Sequence, residues 1–138
     1  MVVAQPSTDL TTFRIDESDA PVIRVIFPDV VTLPAYERLF DEYMRLCDLH
    51  WRVGWLIDMR TFNPVMAPAP IRKAAADVFA RSRDKLLQST VCEARVVGSA
   101  GVRGVLMAFD WLTGSKWPVK NVATVKDAEL WIGEQLRR

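Results

Sequence analysis

The hydrophobic pattern is organised around residues 53–58, Val-Gly-Trp-Leu-Ile-Asp, where five uncharged residues end at a carboxylate. A run this short that is apolar on both alternating faces is typical of a strand buried on both sides of a sheet. An irregular segment, 59–69, follows it and contains Arg60, Asn63 and prolines. Because function in open α/β sheets commonly lies in loops at the carboxyl ends of such strands, this segment is the first candidate for a site.

Two shorter runs precede that strand and predict a hairpin. Residues 13–17 alternate between apolar and polar, which indicates a half-buried strand near an edge. Residues 22–27 predict a second strand, with Pro28 ending it. Since only the turn at 18–21 connects the two, we expect them to pair in the antiparallel direction.

Four segments carry apolar residues at three- and four-residue steps and predict amphipathic helices that pack on a sheet. Capping residues, prolines and glycines mark their limits. We expect the first helix to begin at Thr32 and to end near His50, and the second to begin at Pro70 and to end at a turn at Ser89-Thr90. The third is expected between the turn 99–101 and Gly114, and a capping box at 124–127 begins the last helix.

Strands are also predicted at 91–98 and 117–122, and Pro118 keeps the second at or near an edge. The element order is therefore β-β-α-β-α-β-α-β-α. Strict alternation after the hairpin indicates right-handed crossovers and a mainly parallel sheet covered by helices. We expect an α/β fold with a mixed, mostly parallel sheet of about five strands, an N-terminal β-hairpin and four helices. A loose arm is predicted at 1–12 and a single domain at 13–138.

Composition narrows the class of protein. The chain has 138 residues, half of them hydrophobic, which is enough for one core without disulfides or metal. Eighteen basic and seventeen acidic residues leave a net charge of +1, so nothing points to nucleic acid as a partner. We find no secretory signal and no run of 18 apolar residues, and therefore expect a cytoplasmic protein without membrane insertion. Cys47 and Cys92 share no motif and are expected to be reduced, buried thiols.

Candidate chemistry is sparse. One histidine and two separated cysteines offer no metal-ligand spacing, and His50 is expected to serve a helix end, so we predict neither a cofactor nor an enzyme. Residues 98–104 faintly resemble a phosphate loop but lack its lysine, and the glycines there, with Gly104 for helix packing, explain the pattern more simply. Asp58 is expected to anchor loop N–H groups or Arg60. A small-anion or ligand site, or a catalytic one, would need Asp58, Arg60 and Arg103 to converge.

Five tryptophans are many for a chain of this length. Three of them, Trp55, Trp111 and Trp131, fall at core positions of the predicted elements. Trp51 and Trp117 flank strands and are candidates for an exposed patch.

In three segments the sequence resembles the STAS-like domains of the SpoIIAA-like group, bacterial proteins related to anti-sigma-factor antagonists. The segments are the strand end Trp-Leu-Ile-Asp-Met-Arg at 55–60, Arg-Val-Val-Gly at 95–98 leading into a helix, and the closing strand, turn and helix at 122–132. Their order and spacing carry the resemblance, which spans about 13–136. It implies a non-catalytic protein-interaction and regulatory domain, an adapter in bacterial signalling.

The resemblance also implies where a partner would bind. In the antagonists, a serine at the start of the helix after this strand is phosphorylated, but residues 65–70 contain no serine or threonine, and Thr61 is the nearest hydroxyl. We therefore expect no serine phosphoswitch. The predicted contact surface for a bacterial regulatory protein comprises Thr61, Phe62, Asn63, Val65, Met66, Ile71 and Ser99.

Two alternatives stay open. STAS-like sequences are sometimes grouped with Sec14-type lipid carriers, which implies a carrier of a small apolar or anionic, lipid-like ligand. Aromatic residues are plentiful enough for it. An edge strand near Phe13 or Trp117 could also pair between two copies and form a homodimer.

Overall fold

The structure is a computed structural model that describes residues 12–63, 69–113 and 117–138, except for the side chains at 108, 109 and 111–113. The described residues form five strands and four helices in the predicted order, which confirms the predicted fold class. The elements are β1 Arg14–Asp16, β2 Val22–Ile26, α1 Leu33–Leu49, β3 Val53–Asp58, α2 Ala69–Ser89, β4 Thr90–Val96, α3 Ala100–Thr113, β5 Val119–Val122 and α4 Val125–Leu136.

The five strands form one sheet in the order β1-β2-β3-β4-β5, so spatial order follows chain order. β1 and β2 are antiparallel, as the short turn predicted, and the other neighbours are parallel. Crossovers of one hand that all step in the same direction place their helices on one face of a sheet. Helices α1, α2 and α3 accordingly lie against one another on one face, whereas α4 returns across the other and contacts β3, β4 and β5.

Two hydrophobic cores result, one on each side of the sheet. The larger core lies beneath the three helices and includes Ile23, Leu46 and Trp55. The smaller lies beneath α4 and includes Leu56 and Ile132. Every residue of β3 is buried, as expected for a strand that is covered on both faces.

One glycine sets the distance between α4 and the sheet. Gly54 faces α4, and a Cβ placed there would overlap the Cγ2 atom of Ile132. A side chain at this position would therefore push the helix away from β3. The close-packing role expected for Gly104 is wrong as far as the described residues show, since a Cβ at that position would meet none of their atoms within 4 Å.

Side-chain caps begin two of the helices as predicted. The Thr32 hydroxyl oxygen accepts a hydrogen bond from the Ala35 amide at 3.3 Å, and Thr124 accepts one from Asp127 at 3.1 Å. At the other end of α1, His50 caps the helix through its backbone, whose N–H donates to the Leu46 carbonyl at 2.9 Å. The imidazole was the expected capping group.

The turn predicted at Ser89-Thr90 is wrong, because α2 runs through Ser89 and β4 begins at Thr90. Tertiary hydrogen bonds use both hydroxyls. Ser89 donates to the Cys47 carbonyl at 3.3 Å, and Thr90 accepts from the Trp55 indole N–H at 2.8 Å. The two residues thus hold α2 and β4 against α1 and β3.

The tryptophans divide differently from the prediction. Trp55 is buried and Trp131 is half-buried, while Trp117, expected as part of a patch, is buried in the larger core. Trp51 is 79% exposed, as a patch residue would be. The side chain of Trp111 lies outside the described residues.

Both cysteines are buried and free, with Cys47 in the larger core and Cys92 in the smaller one. Among the described helices, none combines the length and apolar character needed to cross a membrane. The predicted arm lies outside the described residues except for Thr12, which is exposed, and so does the helix end expected at Gly114.

Candidate functional site

A buried carboxylate held by two arginines closes the carboxyl end of β3. Asp58 is 4% exposed and accepts hydrogen bonds from Arg60 Nε at 2.9 Å and Arg60 Nη2 at 2.8 Å. Arg24, on the neighbouring strand β2, donates through Nη2 at 2.9 Å, and the Arg60 amide donates at 3.2 Å. We call Asp58, Arg24 and Arg60 the Asp58 network. The predicted pairing of Asp58 with Arg60 is therefore present.

Electrostatics fix the charge of this carboxylate. Burial by itself would raise the pKa of Asp58, but the hydrogen bonds from Arg60 and Arg24 outweigh burial and lower that pKa to about 2. Asp58 is therefore ionised at neutral pH. With all its partners inside the protein, it acts as an anchor for the end of β3 and the start of the following loop.

The structure does not bring Arg103 into this network. Arg103 is exposed in the first turn of α3, and in the described chain its side chain makes no hydrogen bond or ion pair with Asp58 or Arg60. Ser99 caps that helix instead, its hydroxyl accepting from the Val102 amide at 3.3 Å. The loops after β3 and β4 do meet, since a Cβ at Gly98 would lie 3.6 Å from the Arg60 carbonyl oxygen.

The predicted partner surface is only partly exposed. Thr61 and Asn63 face solvent, and the Thr61 hydroxyl donates to the Phe27 carbonyl at 3.1 Å. Phe62 is buried and packs edge-on against the Phe27 ring, and Ile71 is half-buried. Val65 and Met66 lie outside the described residues.

A second ion network, absent from the sequence predictions, lies on the three-helix face of the sheet. Arg95 on β4 is 4% exposed and forms an ion pair through Nε with Glu93. Its two terminal nitrogens donate to both oxygens of Asp110 on α3, at 2.8 and 2.7 Å. Trp117 donates its indole N–H to Glu93 at 3.2 Å. We call Glu93, Arg95 and Asp110 the Arg95 network.

The Arg95 network stays charged although it is buried. Burial by itself would lower the pKa of Arg95, but the charge of Glu93 and the hydrogen bonds and charge of Asp110 outweigh burial and raise it. A buried guanidinium is tolerable only with such partners, since an unpaired charge in this environment would cost several kcal/mol, of the order of 3–5.

A cavity of about 110 Å³ adjoins this network, between the sheet and the helices α1, α2 and α3. Glu93 and Arg95 form part of its wall, and Arg72 of α2 lies in the wall too. Most of the remaining lining is aromatic: Phe27, Tyr36, Phe40, Tyr43, Trp55, Phe62, Phe79 and Trp117. These rings touch in a nearly continuous series, for example Tyr43 with Trp55 at 4.7 Å between centroids.

The topology accounts for the position of this cavity. Ligand crevices at the strand ends of open α/β sheets form where strand order reverses and neighbouring crossovers diverge to opposite faces. Here strand order never reverses, so the three crossover helices stay together on one face. The space that they leave lies beneath them and extends to the carboxyl end of β3, where Met59 and two residues of the predicted partner surface, Phe62 and Ile71, line it.

One signal in the sequence points to this site. Along β4, Cys92, Ala94 and Val96 face α4, and the alternate positions 93 and 95 carry opposite charges. Two charged residues at alternate positions of a strand must share a face. A strand with another strand on each side lies inside the sheet, so helices cover the face that carries positions 93 and 95. The pattern therefore predicts a buried ion pair on that face.

Burial raises the pKa of three groups in and near the two cores. Burial raises the pKa of Tyr36 and Tyr43, whose phenols line the cavity. Burial, followed by the charge of Glu93, raises the pKa of Cys92 to about 11, and this thiol faces the smaller core. None of the three is set to act as a base or nucleophile at neutral pH. Within the described residues, no three side chains of His, Cys, Asp or Glu group together as metal ligands would.

Comparison with known proteins finds no matching protein family, no matching curated protein and no matching solved structure. The STAS-like resemblance of the three sequence segments therefore stays a prediction.

Proposed function

We propose that this chain is a non-catalytic binding domain that holds a small, largely apolar ligand in the cavity beneath α1, α2 and α3. The observation that carries the proposal is the cavity itself, about 110 Å³ with eight aromatic residues in its lining. Concave apolar sites with a few fixed polar groups are the usual form of small-molecule sites. The Arg95 network supplies such polar groups at one wall.

The volume limits the ligand. A cavity of roughly 150 Å³ lined by apolar side chains is large enough to bind benzene. A cavity of about 110 Å³ is smaller, so the ligand has the size of a single ring or a short branched chain. A long-chain lipid would not fit unless the helices moved apart.

The test uses simple probes and the full chain. We expect native mass spectrometry of the gently purified protein to show a bound small molecule. We also expect toluene, added to the ligand-free protein, to shift the amide NMR signals of cavity residues in a saturable way. Val105→Phe fills the cavity wall and should abolish this saturation, whereas Leu130→Phe, exposed on α4, should leave it intact. No saturable shift with toluene and no co-purified molecule would contradict the proposal.

A protein-interaction role, as the STAS-like resemblance implies, is the second candidate. The observation that favours it is the surface of the loop after β3. Asp58 is held in place by its hydrogen bonds, whereas its partner Arg60 is 50% exposed and is followed by exposed Thr61 and Asn63. A charged loop that is held in place in this way is a suitable contact surface for a bacterial regulatory protein. In this role the domain would be an adapter without a serine phosphoswitch.

Affinity capture from the host lysate tests the second candidate. We expect one protein to be captured near stoichiometrically, to be lost with Met66→Asp, and to be retained with Trp51→Ser. Trp51 precedes β3 in the chain and is not part of the predicted contact surface, so Trp51→Ser serves as the control for Met66→Asp. Equal capture by both variants would contradict the predicted surface.

A further inference from the structure

We propose that the ligand is a small aromatic or branched carboxylate, and that its carboxylate replaces that of Asp110 on the Arg95 guanidinium. This inference rests on the binding function proposed above and adds the ligand's charge and the residue that recognises it. In the ligand-free protein, the Asp110 carboxylate occupies the place on Arg95 that the ligand carboxylate takes when it binds. The ligand's apolar part lies among the aromatic rings.

Arg95 gives the cavity wall a group that binds carboxylates. Arg95 and Glu93 both line the cavity, whereas Asp110, the second carboxylate on Arg95, is not part of the lining. If Asp110 turned away, the two terminal nitrogens of Arg95 would lose the carboxylate that now binds them, and the carboxylate of a ligand would take its place.

The geometry at Arg95 already fits a carboxylate. Asp110 binds through both of its oxygens to Nη1 and Nη2, at 2.8 and 2.7 Å, which is the paired arrangement that guanidinium groups form with carboxylates. A ligand carboxylate in the same position would make the same two hydrogen bonds. Because Glu93 holds Nε, the guanidinium keeps its orientation during the exchange.

Asp110 is the partner that can be exchanged. Its side chain is 38% exposed, so it can be hydrated after it leaves Arg95, while the Glu93 side chain is only 14% exposed and is also held by the Trp117 indole. The exchange leaves two carboxylates around one guanidinium before and after binding. Arg95 therefore has the same number of carboxylate partners before and after the exchange, and it needs such partners to remain buried.

The test compares three probes of similar size with the full-length chain: benzoate, its neutral isostere benzamide, and toluene. Affinities are measured by amide NMR titration at pH 7. We expect benzoate to bind at least about tenfold more tightly than benzamide, as a charge-assisted pair of hydrogen bonds would provide. Benzoate binding no tighter than benzamide would overturn the inference.

Removal of the internal competitor gives the sharper result. Asp110→Asn should raise the affinity for benzoate by about tenfold and leave toluene unchanged, because only the anion competes with this carboxylate. Asp84→Asn makes the same change of charge at an exposed position on α2 and should alter neither affinity. An equal gain with both variants would show a general charge effect and overturn the exchange.

The two proposals fail in distinguishable ways. If toluene binds in the cavity and benzoate does not, the cavity function stands and the anion inference is wrong. If none of the three probes binds, the proposed function is wrong as well.

Discussion

The Asp58 network and the Arg95 network both combine carboxylate and guanidinium groups, but the central buried ion is negative in the first and positive in the second. The two networks lie on opposite faces of the sheet. In one, a buried carboxylate lies between two arginines; in the other, a buried guanidinium lies between two carboxylates. Both begin from adjacent central strands. They differ in their surroundings, because Arg24 and Arg60 lead outward to solvent whereas Glu93 and Arg95 border a cavity. A buried ion is therefore an anchor at one site and a candidate recognition group at the other.

The two faces of the sheet also differ in how closely their side chains are packed. On the α4 face, Gly54 leaves no room even for a methyl group beside Ile132. On the three-helix face, a cavity remains between the sheet and the helices. One face is thus close-packed and stabilises the fold, and the other retains space at a cost in packing, as binding sites do.

The largest expected effect comes from breaking the Arg95 network. Arg95→Met leaves Glu93 without its main partner beneath the helices, and we expect a loss of about 3–5 kcal/mol in the free energy of unfolding. Urea unfolding at pH 7, followed by tryptophan fluorescence, measures it. Arg60→Met is the matched change in the Asp58 network, where Arg24 remains and the side chain is half-exposed, and should cost about 1 kcal/mol. Equal losses would abolish the distinction between the two networks.

Gly54→Ala tests the close packing of the α4 face. The added methyl group meets Ile132, and overpacking of this kind typically costs up to about 3 kcal/mol. Urea unfolding again measures the loss. Combination with Ile132→Ala removes the opposing Cγ2 atom, so the two losses should sum to more than the double variant shows. Strictly additive losses would mean that α4 can move away from β3 freely.

The pH dependence of stability tests the Asp58 network. The pKa of Asp58 is about 2 in the folded protein and about 3.9 in an unfolded chain, which corresponds to about 2.6 kcal/mol at most. Because the folded pKa is the lower one, this contribution is complete above about pH 4 and is lost as the pH falls towards 2. Asp58→Asn should therefore be less stable than the natural protein at pH 6, and the difference should shrink between pH 4 and 2.

Denaturant unfolding of both proteins at several pH values measures this difference. Asp41→Asn, at an exposed position of α1, serves as the control and should show almost no loss at any pH. A difference for Asp58→Asn that stays constant down to pH 2.5 would show that the carboxylate charge is not what stabilises this end of β3.

The smallest effect, of opposite sign, comes from Gly104→Ala. Gly104 lies inside α3, and no described residue has an atom within 4 Å of a Cβ placed there, so alanine should stabilise the protein by about 0.5–1 kcal/mol through its helix propensity. The midpoint of thermal unfolding should rise by roughly 3 °C. A fall would mean that α3 needs the flexibility of glycine, which would link it to the movement proposed for Asp110.

Local sequence patterns predicted the strands and helices, but they did not predict the tertiary contacts that these elements make. The apolar run 53–58 and the caps at Thr32 and Thr124 depend on neighbouring residues only, and all three were correct. Ser89 and Thr90 resembled a turn because their hydroxyl partners lie on distant elements, Cys47 and Trp55.

The candidate site was harder to predict for the same reason. The charges at 93 and 95 are visible in the sequence, but Asp110, the second partner of Arg95, lies on a helix 15 residues further along the chain. Asp58 and Arg60, two residues apart, were correctly paired. Pairings within a few residues can be predicted from sequence, and a cavity that three helices enclose cannot.

The order of the strands also bears on how the chain folds. Each strand lies beside the strand that precedes it in the chain, so no pairing has to wait for a distant segment. Folding rates rise as contacts become more local in sequence. We therefore expect this domain to fold faster than α/β domains of its size whose strand order reverses, with the sheet growing one strand at a time.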